Sequence, residues 1–553
     1  MISYILFSKI HMRALERDQP IIVLTNPVPT EGGKFNGKVT DDVYTKSGTP
    51  SSSLGAIDGV LKGAGFTKVF TEDSRFYPKY GNSTPSDIKK IFQSDIIGIS
   101  GTNRNADSSL DLARQYKECN PKGVVIAGGF GPSMETEKWL RGSIDIVVRR
   151  EGDVTTPLVV KAITNGDSLE NVRGISYIHN GEIINNEDRP LLTEKELSEV
   201  PLPFYPDYIK KKRSVHTVNE SRGCYGKCKF CCVTVAYNGT YRMKTPERVV
   251  EEIGDSRNGE AVFFTGDNLA PRIRRDDSRR LAETLTEKGL IRPYLAQVDA
   301  SFTEDIDLVR AWKKAGLFYV FKGLESIIPA SLKYVHKAFT AKQSINSTNI
   351  FRKERIGVHD MVVLAIDGET LKTIEILRKY LRKDNKANTG QFFSLLPLVG
   401  TEVGRKKRIF DFAQKESNYF DGQHLTTLPP PEFTCVEMQD ISLDLYLDLF
   451  NNGHLLSTIF NDLKGFFSLS KSDWERTGRL VMLDFTSHVY ARKTVATMKK
   501  DPYYQDFREK LRQIDIKVAQ EINGLKEEEF IDGLPEKTGI PPKGIIFDGT
   551  QIL

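Results

Sequence analysis

The chain has 553 residues, with 78 Lys plus Arg against 73 Asp plus Glu, a formal net charge of +5 and a pI near 8.6. That near-balance argues against a dedicated nucleic-acid binder, and the length predicts about three domains, each able to bury its own core. No window reaches the roughly 18 apolar residues that a membrane span needs, so no transmembrane segment is expected. Four of the six cysteines fall between Cys224 and Cys232, which makes no disulfide framework and points to a reducing, cytoplasmic setting.

Residues 1–19 read as an N-terminal extension. Met1–Ile10 is mildly apolar without a cleavage signal, and Met12 is an alternative initiator. From residue 20 to 170, short apolar runs alternate with helical patterns, the signature of a parallel sheet flanked by helices. Strands are predicted at Ile21–Leu24, Lys68–Phe70, Asp95–Ile99, Val124–Ala127 and Ile144–Val148. Helices are predicted over Leu54–Gly65, with Gly65 as the residue past the end, and over Ser108–Cys119. Ligands of such sheets lie beyond the carboxyl ends of the strands. The loops Thr25–Phe35, Ser100–Asn103 and Gly128–Pro132, after the first, third and fourth strands, therefore form the candidate site, with small hydroxyls and glycines that let a large ligand reach the backbone. A dinucleotide site is disfavoured, because no G-x-G-x-x-G follows the first strand.

Residues 171–213 predict a hairpin, Ile175–Ile178 and Glu182–Ile184 about an Asn180-Gly181 turn, with His179 solvated beside it. Pro201, Pro203 and Pro206 then mark a linker, and the basic run Lys210–Arg213 reads as a solvated part of it.

Residues 214–430 hold a second βα series. Its strands are predicted at His216–Glu220, Ala261–Thr265, Tyr294–Val298, Phe318–Gly323, Asp360–Ile366 and Phe392–Leu396. Thr245 and Pro246 open one helix, and Thr303–Asp305 open another that stops at Ala315-Gly316. The first strand leads to Cys224, Cys228 and Cys231, spaced C-x3-C-x2-C, at the end of a barrel where this architecture keeps its chemistry. Three thiolates can hold three irons of a [4Fe-4S] cube and leave the fourth iron open. A structural zinc knot is the competing reading, with Cys232 or His216 as fourth ligand, although paired C-x2-C knuckles are its usual spacing. Cys232 is expected to point away along an extended chain as a spare thiol. Cys119 and Cys435 are expected to be small buried hydrophobes. Residues 431–553 read as a helical C-terminal domain, including Leu443–Phe460 and Tyr503–Ile522, whose apolar stripes predict plain packing over a lipid-binding annex.

The cysteine spacing, with Phe230 just before the last cysteine, resembles the radical S-adenosylmethionine (SAM) enzymes. The α/β segment ahead of it resembles the cobalamin-binding domain of one large branch, through the Gly128-Gly129 pair, the Glu151-Gly152-Asp153 turn, the hairpin and the Pro-rich crossing. The resemblance implies an N-terminal Rossmann-like cobalamin-binding sheet, a central partial (β/α)6 TIM-type radical SAM barrel and a helical C-terminal domain. It implies a [4Fe-4S] cluster on Cys224, Cys228 and Cys231, SAM on the open iron, and reductive cleavage of SAM to a 5′-deoxyadenosyl radical. Phe230, Gly266, Asp267, Asn268, Gln297, Glu325, Ser326 and Pro397 fall where the family touches SAM; Thr25, Ser100, Gly128, Gly129 and Glu151 fall where cobalamin would be held. Two departures stand out. No D-x-H-x-x-G occurs, so no histidine of that motif can ligate cobalt from below, and Ala365–Gly368 replaces the usual glycine-rich form after the fifth strand.

The leading functional reading is a radical SAM enzyme that methylates an unactivated carbon with cobalamin. The alternatives are radical C–C bond formation or cyclisation on a lipid or isoprenoid, and a non-catalytic cobalamin or redox sensor. The expected partners are a small-molecule or lipid substrate and an electron donor such as ferredoxin or flavodoxin.

Overall fold

The computed structural model describes residues 19–27, 48–74, 76, 91–463 and 471–523. The N-terminal extension, most of the loop after the first strand and the last 30 residues, 524–553, lie outside the described residues. What is described forms two compact units, one ending at Cys224 and resuming over Val235–Asp267, the other made of Tyr225–Thr234 and the chain from Asn268 onward.

The first unit is built on β1 (Ile22–Thr25), α1 (Ser52–Gly63), β2 (Val69–Glu72), β3 (Ile96–Ser100), α2 (Ala106–Cys119), β4 (Val124–Gly128), β5 (Ile146–Val148) and α3 (Thr155–Asn165). The hairpin β6 (Ile175–His179) and β7 (Glu182–Asn185) completes a seven-stranded sheet ordered β2-β1-β3-β4-β5-β6-β7. β1 to β5 are parallel, and β6 adds antiparallel to β5. The strands read as unbroken apolar runs because both faces are covered. Ile22, Leu24, Ile96 and Ile126 pack against α1 and α3 on one side, while Val23, Ile97, Ile99 and Val125 pack against α2 on the other. Gly65 sits at φ +94°, past the end of α1, as its position predicts.

The crossing from the hairpin is more ordered than a linker. It contains α4 (Glu194–Glu199), opened by a Thr193/Glu196 capping box, and α5 (Asp207–Lys212), with the three prolines around Pro203 in the irregular stretch between them. The basic run is corrected accordingly: Lys210–Lys212 form the last turn of α5, and the Arg213 side chain is fully buried, 3.0 Å from Glu260 and 3.3 Å from Asp255. Charge density in the sequence gave no sign of carboxylates brought in from 40 and more residues away.

Then follow β8 (Val215–Val218), β9 (Ser221–Gly223), a short helix α6 (Cys232–Ala236), β10 (Tyr241–Met243), α7 (Pro246–Ile253) and β11 (Ala261–Phe264). β11 pairs parallel with β8, and β9 pairs antiparallel with β10. α7 has Thr245 as N-cap, accepting from the Arg248 N–H, and Pro246 in its first turn.

In the second unit α8 (Arg275–Glu287), β12 (Tyr294–Val298), α9 (Ile306–Ala315), β13 (Leu317–Glu325), α10 (Ala341–Lys353), β14 (Gly357–Leu364), α11 (Leu371–Lys383) and β15 (Thr389–Ser394) continue the βα alternation. β12 to β15 pair in parallel in chain order; among the described residues after 214 the first unit thus has the parallel pair β8 and β11 and the second unit four parallel strands. Asp305, not Thr303, caps α9, because residues 300–304 form a 3-10 turn first; Gly316 closes the helix at φ +119°. After residue 430 the described residues form four helices: α12 (Cys435–Leu449), α13 (Asn452–Leu463), α14 (Lys471–Met498) and α15 (Pro502–Asn523). The single helix expected over Leu443–Phe460 is broken at Phe450-Asn451, where the Asn451 side chain accepts from the His454 N–H and starts a new helix. α12 and α15 bury Leu443, Leu449, Phe507 and Leu511 in the core, as the packing reading expects.

Candidate active site

In the first unit, β8 ends at Val218 and the chain turns through Asn219 and Glu220 into β9, whose last residue is Gly223. Gly223 lies at φ +87°, and a Cβ there would stand 2.1 Å from the Thr240 carbonyl oxygen of the paired strand. Only glycine lets the chain turn out of the hairpin into Cys224. Asp267, after β11, accepts the Gly223 N–H at 2.9 Å, and Glu220 accepts the Gly266 N–H at 3.0 Å and the Ser221 hydroxyl at 3.1 Å. Two carboxylates thus tie the turn after β11 to the start of the cysteine loop. Burial pushes Glu220 up to about 7 and raises Asp267, with no cationic side chain among the causes of either shift. Such a pair favours a positively charged ligand group nearby.

The second unit carries the rest of the cysteine loop. Cys228 and Cys231 are partly exposed, and none of the six cysteines is in a disulfide. The loop is anchored by backbone bonds from Lys229 N–H to the Val335 carbonyl at 3.2 Å and from Val403 N–H to the Lys229 carbonyl at 3.0 Å. Phe230 packs against Val335, Val363, Ile366, Leu395 and Val403. Burial pushes the Cys231 thiol up to about 12; burial also raises Cys228, opposed by the positive charge of Lys337. Lys337 is 2.6 Å from Glu325, which ends β13 with the left-handed φ of +58°. A non-glycine residue held there at the end of a strand marks a position fixed by its surroundings. Asn268 donates to Asp299 at 2.8 Å, and Asp299 also accepts from Ser301 N–H at 2.7 Å. Gln297 is half-buried two residues earlier on the same side of β12. The Ser326 hydroxyl accepts the Ile328 N–H at 3.1 Å, and Pro397 is buried in the turn after β15.

Two cysteine expectations are corrected. Cys232 begins helix α6, so the chain is not extended beyond Cys231, and Cys119 is exposed because it ends α2 on the outer side. Cys435 is buried as expected. Among the described residues, no group of three or more His, Cys, Asp or Glu is arranged around a single metal ion.

A cavity of about 390 Å³ opens in the first unit over the carboxyl ends of β3, β4 and β5 and beside α1. Ser100, Gly128, Gly129 and Glu151 all line it, while Thr25 is buried at the end of β1 and does not. The wall extends to Pro201, Pro203, Arg222, Tyr237, Lys244 and Asp267, none of which composition or periodicity linked to the sheet loops. Glu151 is held by its own protein: it accepts from Arg242 at 3.0 Å, Arg222 at 3.1 Å and the Leu192 N–H at 2.8 Å. Arg222 also binds both oxygens of Asp153, at 2.7 and 2.8 Å. Gly129 has φ +105°, and a Cβ there would stand 2.5 Å from the Gly101 carbonyl oxygen. Its need for glycine therefore comes from the protein's own backbone, not from a ligand above it.

A profile of the radical SAM superfamily matches residues 218–381, from the end of β8 through α11. Residues 218–381 therefore carry a radical SAM domain. The chain is an enzyme, and that domain implies a [4Fe-4S] cluster and SAM. An uncharacterized methyltransferase of Pyrococcus horikoshii is 29% identical over 334 residues, 58% of this chain and 71% of that one. An anaerobic magnesium-protoporphyrin IX monomethyl ester cyclase of Rubrivivax gelatinosus is 26% identical over 392 residues, 66% and 68% of the two chains. The radical SAM methyltransferase TsrM of Kitasatospora setae, solved with cobalamin and a [4Fe-4S] cluster bound, aligns with TM-score 0.62 at 14% identity over 86% of this chain and 100% of that one. The radical SAM protein thus shares its fold with a cobalamin-binding methyltransferase. Among its described residues no helix is long and apolar enough to cross a membrane.

Proposed function

We propose that this radical SAM enzyme uses cobalamin to methylate an unactivated carbon of a small-molecule or lipid substrate. The observation that carries the proposal is the cavity at the carboxyl ends of β3, β4 and β5, the position at which open α/β sheets hold their ligands. Its walls combine apolar strand residues with the small side chains Ser53, Ser100, Gly128 and Gly152, which suits a broad, amide-fringed macrocycle. Among the described residues that line it there is no His, Cys or Met.

When bound, the cluster, SAM and cobalamin supply radical generation and methyl delivery. The chain's own residues bind and orient. Cys224, Cys228 and Cys231 provide three thiolates, and Lys337 favours the ionised form of Cys228. Asp267 and Glu220 are the negative pair suited to the SAM ammonium, which would repay the burial of two carboxylates. Asn268, Gln297, Glu325 and Ser326 are assigned to the remaining polar contacts of SAM, and Phe230 and Pro397 to the adenine side. The electron donor is assigned to the ferredoxin or flavodoxin class, in a reducing cytoplasmic setting. The test is retention of cobalamin. Protein reconstituted with excess hydroxocobalamin and desalted should keep about one equivalent, with a cob(II)alamin EPR spectrum free of strong nitrogen coupling. Retention of none would remove the methyl-transfer reading. Likeness to the magnesium-protoporphyrin ester cyclase supports the second reading, radical C–C bond formation or ring closure.

A further inference from the structure

Helix α13 and the middle of α14 are amphipathic in the wrong sense for a protein surrounded by water. The buried side chains of α13 are His454, Thr458 and Asp462, while Leu456 and Phe460 are 69% and 70% exposed. α14, packed beside it, buries Leu480, Val495 and Met498 towards its ends, but between them it buries Asp484 and His488 and leaves Met482 62%, Phe485 54% and Val489 49% exposed. The inward polar groups are anchored to the barrel side of the same unit. Asp462 forms an ion pair with Arg352 of α10, and Asp484 accepts from the Asn388 side-chain amide at 2.8 Å. A helix in water buries its apolar stripe. Where α13 and the middle of α14 do the reverse, with the buried Asp462 and Asp484 partnered, they are built for an apolar phase on their outer side.

We propose that the outer face of α13 and α14 docks on the surface of an anionic lipid bilayer. Several observations favour that occupant over another protein. No charged residue lies on the exposed side of α13, where Asn452, Ser457 and Asn461 accompany the apolar residues. From Phe485 of α14 to Lys500, just past its end, the chain contains Arg492, Lys493, Lys499 and Lys500, all exposed, with Lys499 2.6 Å from Asp444, and no Asp or Glu. An apolar stripe edged by cations of one sign matches hydrocarbon beneath anionic headgroups, whereas the rim of a protein interface carries mixed polar groups. Since no described helix can span a bilayer, the pair lies on it.

The test is flotation of the full-length, cluster-reconstituted protein with vesicles of phosphatidylglycerol and phosphatidylcholine in equal parts, and with phosphatidylcholine alone. The parent should float with the anionic vesicles and weakly with the neutral ones. The double variant Phe460→Glu/Phe485→Glu should bind the anionic vesicles about tenfold less, with the parent's circular dichroism and iron content, since both side chains point outward. Lys493→Gln/Lys500→Gln should lose affinity for anionic vesicles only. If the parent does not float, or floats as well with Phe460→Glu/Phe485→Glu, the proposal is wrong. It is equally overturned if, without lipid, the parent sediments as a dimer that Phe460→Glu/Phe485→Glu converts to monomer, because the face would then join two copies.

Discussion

The carboxylate of Asp267 accepts the backbone N–H of Gly223 at 2.9 Å, fixing the residue that immediately precedes Cys224. Asp267 therefore has a structural task besides the expected one of meeting SAM. Asp267→Ala removes both and should lower iron content as well as SAM binding. Asp267→Asn keeps an acceptor oxygen for Gly223 and should hold iron at the parent level while SAM affinity falls about tenfold, the size of one charge-assisted contact. Iron assay and equilibrium dialysis separate the two effects.

Alanine at Cys224, Cys228 or Cys231 should abolish the EPR signal of the reduced cluster. Cys232→Ala should retain it, since Cys232 opens α6 and lies outside the C-x3-C-x2-C set. Equal loss at Cys232 would move the ligand assignment by one residue.

Burial pushes the Asp153 carboxyl up, but the charge and hydrogen bonds of Arg222 outweigh it and hold the group below the usual carboxylate range. Stability from this pair is thus fully present above the ordinary carboxylate pKa and is lost as pH falls through the lowered one. Arg222→Met leaves Asp153 buried without its partner and should destabilise the protein by about 3–5 kcal/mol at neutral pH. The sign of the pH dependence should also reverse, with the variant becoming more stable on acidification from neutrality toward pH 5. Urea denaturation at several pH values measures both.

Gly129 is a poor probe of the cavity, because its Cβ would strike the Gly101 carbonyl whether or not a ligand is present. Gly129→Ala should lower thermal stability in cobalamin-free protein. Ala56 lines the cavity from α1 and is half-buried. Ala56→Phe should leave the melting temperature of cobalamin-free protein near that of the parent and cut cobalamin retention after desalting. Full retention by Ala56→Phe would place the ligand elsewhere.

Periodicity made both βα series legible, because buried parallel strands are apolar runs and their helices carry ordinary caps such as Thr245 and Gly316. The cysteine spacing named the chemistry, since three thiolates seven residues apart in all are a local signal. What escaped was long-range. Arg213 looked like part of a solvated run until Asp255 and Glu260 folded against it. Glu151 looked like a ligand contact, yet Arg222 and Arg242 already occupy it. β9 and β10 are three residues each, too short to show a period, although the glycine at 223 that their turn requires was visible. Lys337 beside Glu325 had no motif to announce it. The exposure of Leu456 and Phe460 on α13 also escaped, because sequence gives the spacing of an apolar stripe and not the side on which it lies.

The measurement that tests the account most directly is release of 5′-deoxyadenosine from SAM by the dithionite-reduced, reconstituted protein, with Cys228→Ala alongside. The account predicts 5′-deoxyadenosine from the parent and none from Cys228→Ala. Parent protein that carries a full cluster and binds SAM, yet yields no 5′-deoxyadenosine, would contradict it.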